Sequence, residues 1–299
     1  MTLRVERVEA NGHPFEVHKC GDGERLALLL HGFPEHAISW RHQMPVLAEL
    51  GFTVWAPNLR GYGESFRPTR VRDYTVQHLV EDVGGLIDAA GKRSTLLVGH
   101  DWGGAIAWLT ALMQIRPLAG LVVMNLPHIK LYQQAMLRFP PAQLWRARYM
   151  LPFLLPYLGP WLYARRRGKK TAAFIRTTST DPLPDSILDV YRNQAATPGQ
   201  MRAMMMYYRA NLGAMLGRMP AHQQQAVERV LETPTLLLWG TQDPFLARNL
   251  NDGTEQLVRD LTVHYLDDSS HWLQQEQPDK VNEILRGWIE QLPGSLEVP

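Results

Sequence analysis

The stretch V-G-H-D-W-G-G, residues 98–104, decides the fold of this chain. It follows an apolar run at residues 95–98 and precedes a helical pattern, so it is predicted to turn from a strand into a helix. Gly99 and Gly103 permit a tight turn and close packing of the strand on the helix. Such an elbow usually presents a serine nucleophile at its tip, and here the tip residue is Asp101. Taken alone, the motif also fits a simple turn whose aspartate caps the next helix.

Short continuous apolar runs recur along the chain and are typical of strands buried on both faces. They lie at residues 26–30, 53–56, 95–98, 118–124, 235–239 and 262–266. Helical patterns lie between several of them, at residues 76–90 after the capping candidate Thr75 and at residues 105–115. A hairpin around Asn11-Gly12 opens the chain. This alternation predicts an α/β fold, with a mostly parallel sheet and helices on both faces.

The alternation of strand and helix stops in the middle of the chain. This segment is rich in methionine, tyrosine, arginine and proline, and it contains helical patterns at residues 186–195 and 200–216. We therefore predict a core, residues 1–127 and 233–299, with an inserted helical lid, residues 128–232. An insertion at the carboxyl edge of a parallel sheet would cover the place where such sheets bind ligands.

Composition excludes several classes of protein. Lysine and arginine total 31 against 29 aspartate and glutamate, so the formal charge of +2 gives no reason to expect nucleic acid or an anionic membrane as partner. The basic run at residues 165–170 is typical of a solvated helix end or loop. The single cysteine, Cys20, excludes an internal disulfide and fits a reducing compartment. No signal peptide and no stretch of about 18 apolar residues is visible, so we expect a cytoplasmic protein without a membrane span.

Three further motifs follow predicted strands. The loop His31-Gly32-Phe33-Pro34 can aim backbone N–H groups at an oxyanion, and the N–H groups of Phe33 and Trp102 are the candidate donors. Asp243 comes just after one late strand, and His271 lies in the loop after the last one. The order of nucleophile, acid and base is that of the α/β-hydrolase triad.

An aspartate at the elbow changes the chemistry that the triad can perform. An ionised carboxylate is a nucleophile at neutral pH and can displace a leaving group at saturated carbon, which leaves an alkyl ester on Asp101. Water would then attack the ester, with His271, oriented by Asp243, as the base. The oxyanion would lie at the N–H groups of Phe33 and Trp102. Suitable substrates are an epoxide or an alkyl halide.

Five motifs together resemble the epoxide hydrolases of the α/β-hydrolase fold: H-G-F-P-E at 31–35, R-G-Y-G-E-S at 60–65, G-H-D-W-G-G at 99–104, G-T-Q-D at 240–243 and S-H-W at 270–272. The resemblance covers nearly the whole core. It implies a cis peptide at Phe33-Pro34 and places His31 and Pro34 in the oxyanion- and substrate-binding loop. It also implies hydrolysis of a small hydrophobic epoxide to a vicinal diol with water, no cofactor or metal, and a possible homodimer.

Epoxide opening needs a hydrogen-bond donor for the oxygen that develops charge. By resemblance this donor is Tyr208, in M-Y-Y-R at 206–209, and by position a second is Tyr149, in R-Y-M at 148–150. The phenylalanine-glutamine pair often found after the second tyrosine is replaced here by L-P-F-L-L-P. Ordinary packing is the alternative for both tyrosines, and for the nearby methionines, which either fill the core or line an apolar pocket: Met201, Met204, Met205 and Met206.

Two other functions fit parts of the sequence. Haloalkane and haloacid dehalogenases share the aspartate nucleophile, but many of the former have asparagine in place of Phe33, and fluoroacetate-type enzymes usually have arginine in place of Trp102. The third candidate is a non-catalytic ligand-binding protein on a hydrolase scaffold, which has less need of an intact triad. Asn58 stands where the family commonly has an acid, and the sequence offers no account of it.

Overall fold

The computed structural model describes residues 3–292, so residues 1–2 and 293–299 of the predicted core lie outside it. Eight strands of the described residues form one sheet: β1 Arg4–Ala10, β2 His13–Cys20, β3 Arg25–Leu30, β4 Phe52–Pro57, β5 Thr95–His100, β6 Gly120–Met124, β7 Thr235–Gly240 and β8 Leu261–Leu266. Their order across the sheet is β1-β2-β4-β3-β5-β6-β7-β8. β2 is antiparallel to β1 and to β4, and all other neighbours are parallel. The predicted mostly parallel sheet is therefore confirmed.

Twelve α-helices accompany the sheet in the described part of the chain. They are α1 Gln43–Glu49, α2 Val76–Ala90, α3 Trp102–Leu112, α4 Ile129–Leu137, α5 Ala142–Arg146, α6 Leu151–Leu154, α7 Leu158–Thr178, α8 Asp185–Ala196, α9 Gln200–Met215, α10 Ala221–Val227, α11 Leu273–Glu276 and α12 Pro278–Gln291. Short 3-10 turns lie at Ala37–Trp40, Val71–Tyr74, Ala147–Met150, Arg248–Asn251 and Thr254–Gln256. Helix α7 is interrupted at residues 165–168, where the backbone leaves the helical region.

The core lies on both faces of the sheet because successive side chains of a strand point in opposite directions. In β3, Leu26, Leu28 and Leu30 pack into the apolar cluster that includes side chains of α2 and α3. Ala27 and Leu29 pack into a second cluster with side chains of α1 and α12. The central strands are therefore buried on both sides, as their continuous apolar runs predicted.

The seven helices α4 to α10 lie between β6 and β7, where the sequence predicted a helical insertion. Helices α8 and α9 match the two predicted helical patterns within one residue at each end. The division of the chain into separate core and lid units stays a prediction. Within residues 3–292, no helix combines the length and the apolar character that a membrane span needs.

Three local predictions differ from the structure. Strand β8 is partly exposed, because it is an edge strand with β7 as its neighbour. Helix α3 begins at Trp102, three residues before the predicted start. Its first turn contains Gly103 and Gly104, which contribute no apolar side chain to a helical period. Thr75 precedes α2, but its side chain makes no capping bond. Instead the side-chain oxygen of Asn211 on α9 accepts the N–H of Val76 at 2.8 Å.

Candidate active site

Asp101 stands at the sharp turn between β5 and α3. Its backbone has φ 50° and ψ −119°, a conformation that L-residues rarely adopt. The turn is possible because a Cβ on Gly99 would lie 2.3 Å from the carbonyl oxygen of Gly103, and one on Gly103 would lie 2.0 Å from that of Leu30. The side chain of Asp101 makes no capping bond to α3, so the alternative of a helix-capping aspartate is wrong.

The loop after β3 approaches the Asp101 carboxylate. The N–H of Phe33 donates a hydrogen bond of 2.7 Å to Oδ1 of Asp101, and the peptide bond between Phe33 and Pro34 is cis, as predicted. No hydrogen bond from the Trp102 N–H to Asp101 is formed among the described residues, so the second oxyanion donor stays a prediction.

His31 is completely buried and supports this loop from behind. Its Nε2 accepts the N–H of Leu59 at 3.1 Å, so Nδ1 carries the proton and donates to the carbonyl oxygen of Gly32 at 2.9 Å. Burial lowers the pKa of His31 to about 4, which keeps the ring neutral. Both ring nitrogens are therefore taken up by the backbone. The sequence grouped His31 with the substrate contacts, but the structure gives it a supporting role in the loop.

The three predicted triad residues meet at the carboxyl ends of their strands. Nδ1 of His271 lies 2.6 Å from Oδ2 of Asp243, and Nε2 of His271 lies 3.6 Å from Oδ2 of Asp101. The other oxygen of Asp243 accepts the N–H groups of Phe245 at 2.7 Å and Leu246 at 3.0 Å. Asp243 is therefore fixed by its own loop, and it in turn orients the imidazole toward Asp101.

The two carboxylates determine the charge of His271. Burial alone lowers its pKa, but the charge of Asp243, the hydrogen bonds to both carboxylates and the charge of Asp101 outweigh burial and raise the pKa to about 10. Burial likewise opposes the ionised form of Asp101, yet His271, the charge of His100 and the Phe33 N–H bring its pKa below the usual value. At neutral pH the site therefore holds an imidazolium between two carboxylates.

Behind the triad lies a buried pair that the sequence did not reveal. Nδ1 of His100 is 2.7 Å from Oε2 of Glu35, and Nε2 of His100 is 2.7 Å from the carbonyl oxygen of His271. Both ring nitrogens of His100 therefore face acceptor oxygens. Burial favours the neutral form of Glu35, but His100 and the N–H of Gly32 hold its pKa below the ordinary value. The side-chain amides of Gln274 and Gln275 each donate a hydrogen bond to Oε1 of Glu35, at 2.9 and 2.8 Å.

Asn125 is a second residue that sequence reasoning missed. Its Nδ2 donates to Oδ2 of Asp243 at 2.5 Å, and its Oδ1 accepts the N–H of Gly240 at 2.8 Å. Its position directly after β6, at the same sheet edge as Asp101 and Asp243, was the available signal. Asn125 thus ties the ends of β6 and β7 together at the acid of the triad.

The structure also accounts for Asn58. Its amide nitrogen lies 2.9 Å from Oε2 of Glu16 and 2.8 Å from Nε2 of His36. Glu16, His18 and His36 are close enough to one another to hold a metal ion. The Asn58 amide lies between Glu16 and His36 in this group and satisfies both by hydrogen bonding. An acid at position 58 would instead place a second carboxylate beside Glu16.

An apolar cavity opens onto Asp101, and its wall contains the two predicted tyrosines, Tyr149 and Tyr208. Burial, reinforced by neighbouring charge including that of Asp101, raises the pKa of both hydroxyls well above the usual value, so both remain protonated donors. The adjacent Tyr207 is turned away, and its hydroxyl donates to the carbonyl oxygen of Arg60 at 2.7 Å. Tyr132 of α4 is a third tyrosine in the wall, and no sequence motif pointed to it.

Apolar side chains form most of the wall of this cavity, as is usual for a small-molecule site. The methionines in its wall are Met150, Met215 and Met219. The four methionines that the sequence left open, Met201, Met204, Met205 and Met206, are buried in the core. The wall of the cavity therefore contains methionines, but they are not the four that the sequence suggested.

Known proteins resemble this chain over nearly its whole length. Residues 28–278 match the family model described as alpha/beta hydrolase fold. "Epoxide hydrolase 4" of Mus musculus is 33% identical over 295 residues, which is 95% of this chain and 79% of that protein. "Epoxide hydrolase A" of Mycobacterium tuberculosis is 30% identical over 315 residues, 93% of this chain and 94% of that protein.

Solved structures agree with this assignment. A mutant epoxide hydrolase from Bacillus megaterium, in complex with its product (R)-3-[1]naphthyloxy-propane-1,2-diol, superposes with a TM-score of 0.81 and 28% identity. The match covers 96% of this chain and 100% of that chain. Sequence, fold and relatives thus agree, and the chain belongs to the epoxide hydrolases of the α/β-hydrolase fold.

Proposed function

We propose that this protein hydrolyses an apolar epoxide to a vicinal diol through a covalent ester on Asp101. The observation that carries the proposal is the position of the Asp101 carboxylate. It lies in an apolar cavity, 3.6 Å from the imidazole of His271, with the hydroxyl-bearing rings of Tyr149 and Tyr208 in the same cavity wall.

In the first step, Oδ2 of Asp101 attacks one epoxide carbon and the carbon–oxygen bond of the ring breaks. Oδ1 is held by the Phe33 N–H at 2.7 Å, so it becomes the carbonyl oxygen of the ester. Tyr208 and Tyr149 hydrogen-bond the epoxide oxygen as it develops charge, and the resulting alkoxide takes up the proton that the His271 imidazolium loses, so His271 is neutral before the second step. The raised pKa of both tyrosines keeps their protons available as donors.

In the second step, water attacks the carbonyl carbon of the ester and gives its proton to His271. The oxyanion forms on Oδ1, where the Phe33 N–H is already in place. The tetrahedral intermediate collapses, the diol leaves with a proton, and the carboxylate of Asp101 is regenerated. His271 can accept the proton because the ester carries no charge, so the attraction that held its pKa at about 10 is reduced.

The side chain at position 33 favours an epoxide over an alkyl halide. A halide ion needs N–H donors around it, and the ring of Phe33 has none to offer. That ring packs edge-on against Tyr208, with 5.3 Å between ring centroids. The hydroxyl donors of the cavity wall suit an oxygen that stays attached to the substrate. Comparing diol release from a styrene-like epoxide with halide release from a haloalkane separates the two activities, and halide release alone would overturn the proposal.

A single turnover in heavy-oxygen water tests the ester directly. With enzyme in excess over epoxide, the heavy oxygen should enter the carboxylate of Asp101, because water attacks the ester carbonyl, and the diol should contain none. Mass spectrometry of the peptide that contains Asp101 measures this. Heavy oxygen in the first-turnover diol, with none in Asp101, would mean that water opens the epoxide directly. The cytoplasmic location and the homodimer stay predictions from the sequence.

A further inference from the structure

Exposed large apolar side chains are concentrated in one part of this protein. Twelve are exposed in the described part of the chain, and nine of these lie between residues 137 and 161: Leu137, Phe139, Leu144, Trp145, Leu151, Leu155, Tyr157, Leu158 and Trp161. Phe139 is 90% exposed, Tyr157 75%, Trp145 68% and Trp161 55%. Isolated exposed apolar residues are ordinary, but such a concentration marks an interaction surface.

The same segment is strongly basic. Residues 102–180 contain no aspartate or glutamate, and residues 129–180 contain ten lysines and arginines. Two of these, Lys130 and Arg176, pair with Glu228 and Asp185. The other eight form no salt bridge among the described residues: Arg138, Arg146, Arg148, Arg165, Arg166, Arg167, Lys169 and Lys170. The net charge of +2 does not reveal this basic segment, because the rest of the chain contains more acidic than basic residues.

Basic and apolar side chains lie next to each other on this surface. The guanidinium of Arg148 is 4.9 Å from the ring centroid of Trp145, and that of Arg165 is 4.4 Å from the ring centroid of Trp161. Four of the basic residues share one concavity, which is lined by Leu162, Arg165, Arg166, Lys169, Lys170 and Ala173. The concavity presents several positive charges to a single anionic group.

We propose that this basic-apolar face, the exposed side chains of residues 137–170, binds the surface of an anionic lipid bilayer without crossing it. Lipid phosphates would contact the arginines and lysines, tryptophan and tyrosine would lie at the headgroup level, and the leucines would reach the acyl chains. The net charge of +2 gives no reason to expect an anionic membrane as partner, but binding depends on where the charges lie.

Charge favours a lipid surface over a second copy of this chain or a nucleic acid. A two-fold dimer through this face would bring the same basic residues against one another, and residues 137–170 offer no acid to pair with them. A nucleic acid would match the charge, but it would leave the five leucines of the face, which cannot stack on bases, in water. A bilayer offers phosphates to the charged side chains and acyl chains to the leucines.

The segment that carries this face also contributes Tyr149 and Met150 to the wall of the cavity. Phe153 of α6 is buried beneath the face, with its ring centroid 5.0 Å from that of Tyr208 and 5.3 Å from that of Tyr163 on α7. A membrane-bound protein would therefore hold its cavity close to a phase in which apolar epoxides concentrate. The docking itself does not depend on the proposed reaction.

Co-sedimentation with vesicles tests the proposal with the full chain. We expect binding to vesicles of phosphatidylcholine mixed with phosphatidylglycerol, much weaker binding to phosphatidylcholine alone, and release by salt. The triple variant Arg166→Glu, Lys169→Glu, Lys170→Glu should bind at least about 100-fold more weakly, at about 5-fold for each of the three positive charges removed, and repulsion by the three new glutamates should weaken binding further. The double variant Trp145→Ala, Trp161→Ala should bind more weakly but keep the dependence on salt.

Matched controls separate this face from a general effect of charge. The triple variant Arg70→Glu, Arg72→Glu, Arg229→Glu makes the same change in net charge at exposed positions outside the face and should bind vesicles like the parent protein. Circular dichroism should give the same melting temperature for parent and variants, because all altered side chains are exposed. Equal binding of both triple variants, or equal binding to both vesicle types, would overturn the proposal. A dimer that the Trp145→Ala, Trp161→Ala variant dissociates would also overturn it and assign the face to a second copy.

Discussion

The most direct test of the charge coupling in the site is the variant Asp101→Asn. Asparagine keeps an oxygen to accept the Phe33 N–H, but like the ester it carries no negative charge. In the parent protein, Oδ2 of Asp101 lies 3.6 Å from Nε2 of His271. At an effective dielectric constant of about 20, that distance corresponds to about 4.6 kcal/mol of attraction, or a pKa change of about 3. The pKa of His271 should therefore fall from about 10 to about 7 in the variant.

The ring signals of isotope-labelled histidine in an NMR titration measure this change. The chain has eleven histidines, and the signal that disappears in His271→Gln identifies the relevant one. Asp22→Asn, at an exposed position away from the site, should leave the pKa of His271 at about 10. If the pKa also stays near 10 in Asp101→Asn, then Asp243 alone holds the charge, and the explanation for how His271 becomes a base is wrong.

The other predictions concern the two steps and the buried support of the triad. His271→Gln should form the ester but not hydrolyse it, so mass spectrometry should find Asp101 heavier by one epoxide, and normal turnover would exclude His271 as the base. Tyr208→Phe and Tyr149→Phe keep the ring packing but remove a donor, so each should slow ester formation by about 100-fold in stopped-flow measurements. An unchanged rate in either variant would assign that tyrosine to packing. Glu35→Gln removes one partner of a buried ion pair and should cost about 3–5 kcal/mol of unfolding free energy in urea titrations. A loss below 1 kcal/mol would contradict the charged pair.

Controls for these variants come from the same chain. Tyr157→Phe removes an exposed hydroxyl outside the cavity and should leave the rate of ester formation unchanged. Glu24→Gln breaks an exposed ion pair with Arg93 and should change the unfolding free energy by less than 1 kcal/mol, as is usual for surface pairs.

The features that the sequence predicted well are local. The strands of the sheet and helix α2 follow from continuous apolar runs and helical periodicity, which a single window of sequence contains. The elbow at Asp101 follows from two glycines within five residues, since the structure leaves no room for a Cβ at Gly99 or Gly103. The three triad candidates, which the structure brings together, could be predicted because each follows a strand whose position was itself predicted.

The features that were missed depend on contacts between distant parts of the chain. Glu35 and His100 are 65 residues apart, and Asn125 is 118 residues from Asp243. Nothing near Glu35 or His100 in the sequence indicates the partner, and the position of Asn125 after β6 indicates only the sheet edge that it shares with Asp243. The capping of α2 by Asn211, in place of the adjacent Thr75, has the same origin. The short helices α5 and α6 were missed because four or five residues, with prolines beside or within them, give no helical period.

The buried group around Asp101 contains the carboxyl groups of Asp101, Asp243 and Glu35 and the imidazole rings of His271 and His100. In the proposed mechanism, formation of the ester removes one negative charge from this group, and loss of one proton from His271 to the opened epoxide restores the same total. The first half of the proposed reaction would thus leave the charge of this group unchanged, without import of an ion or of a proton from solvent. Burial of the group, which would be an obstacle to a reaction that changes its charge, is no hindrance to this one.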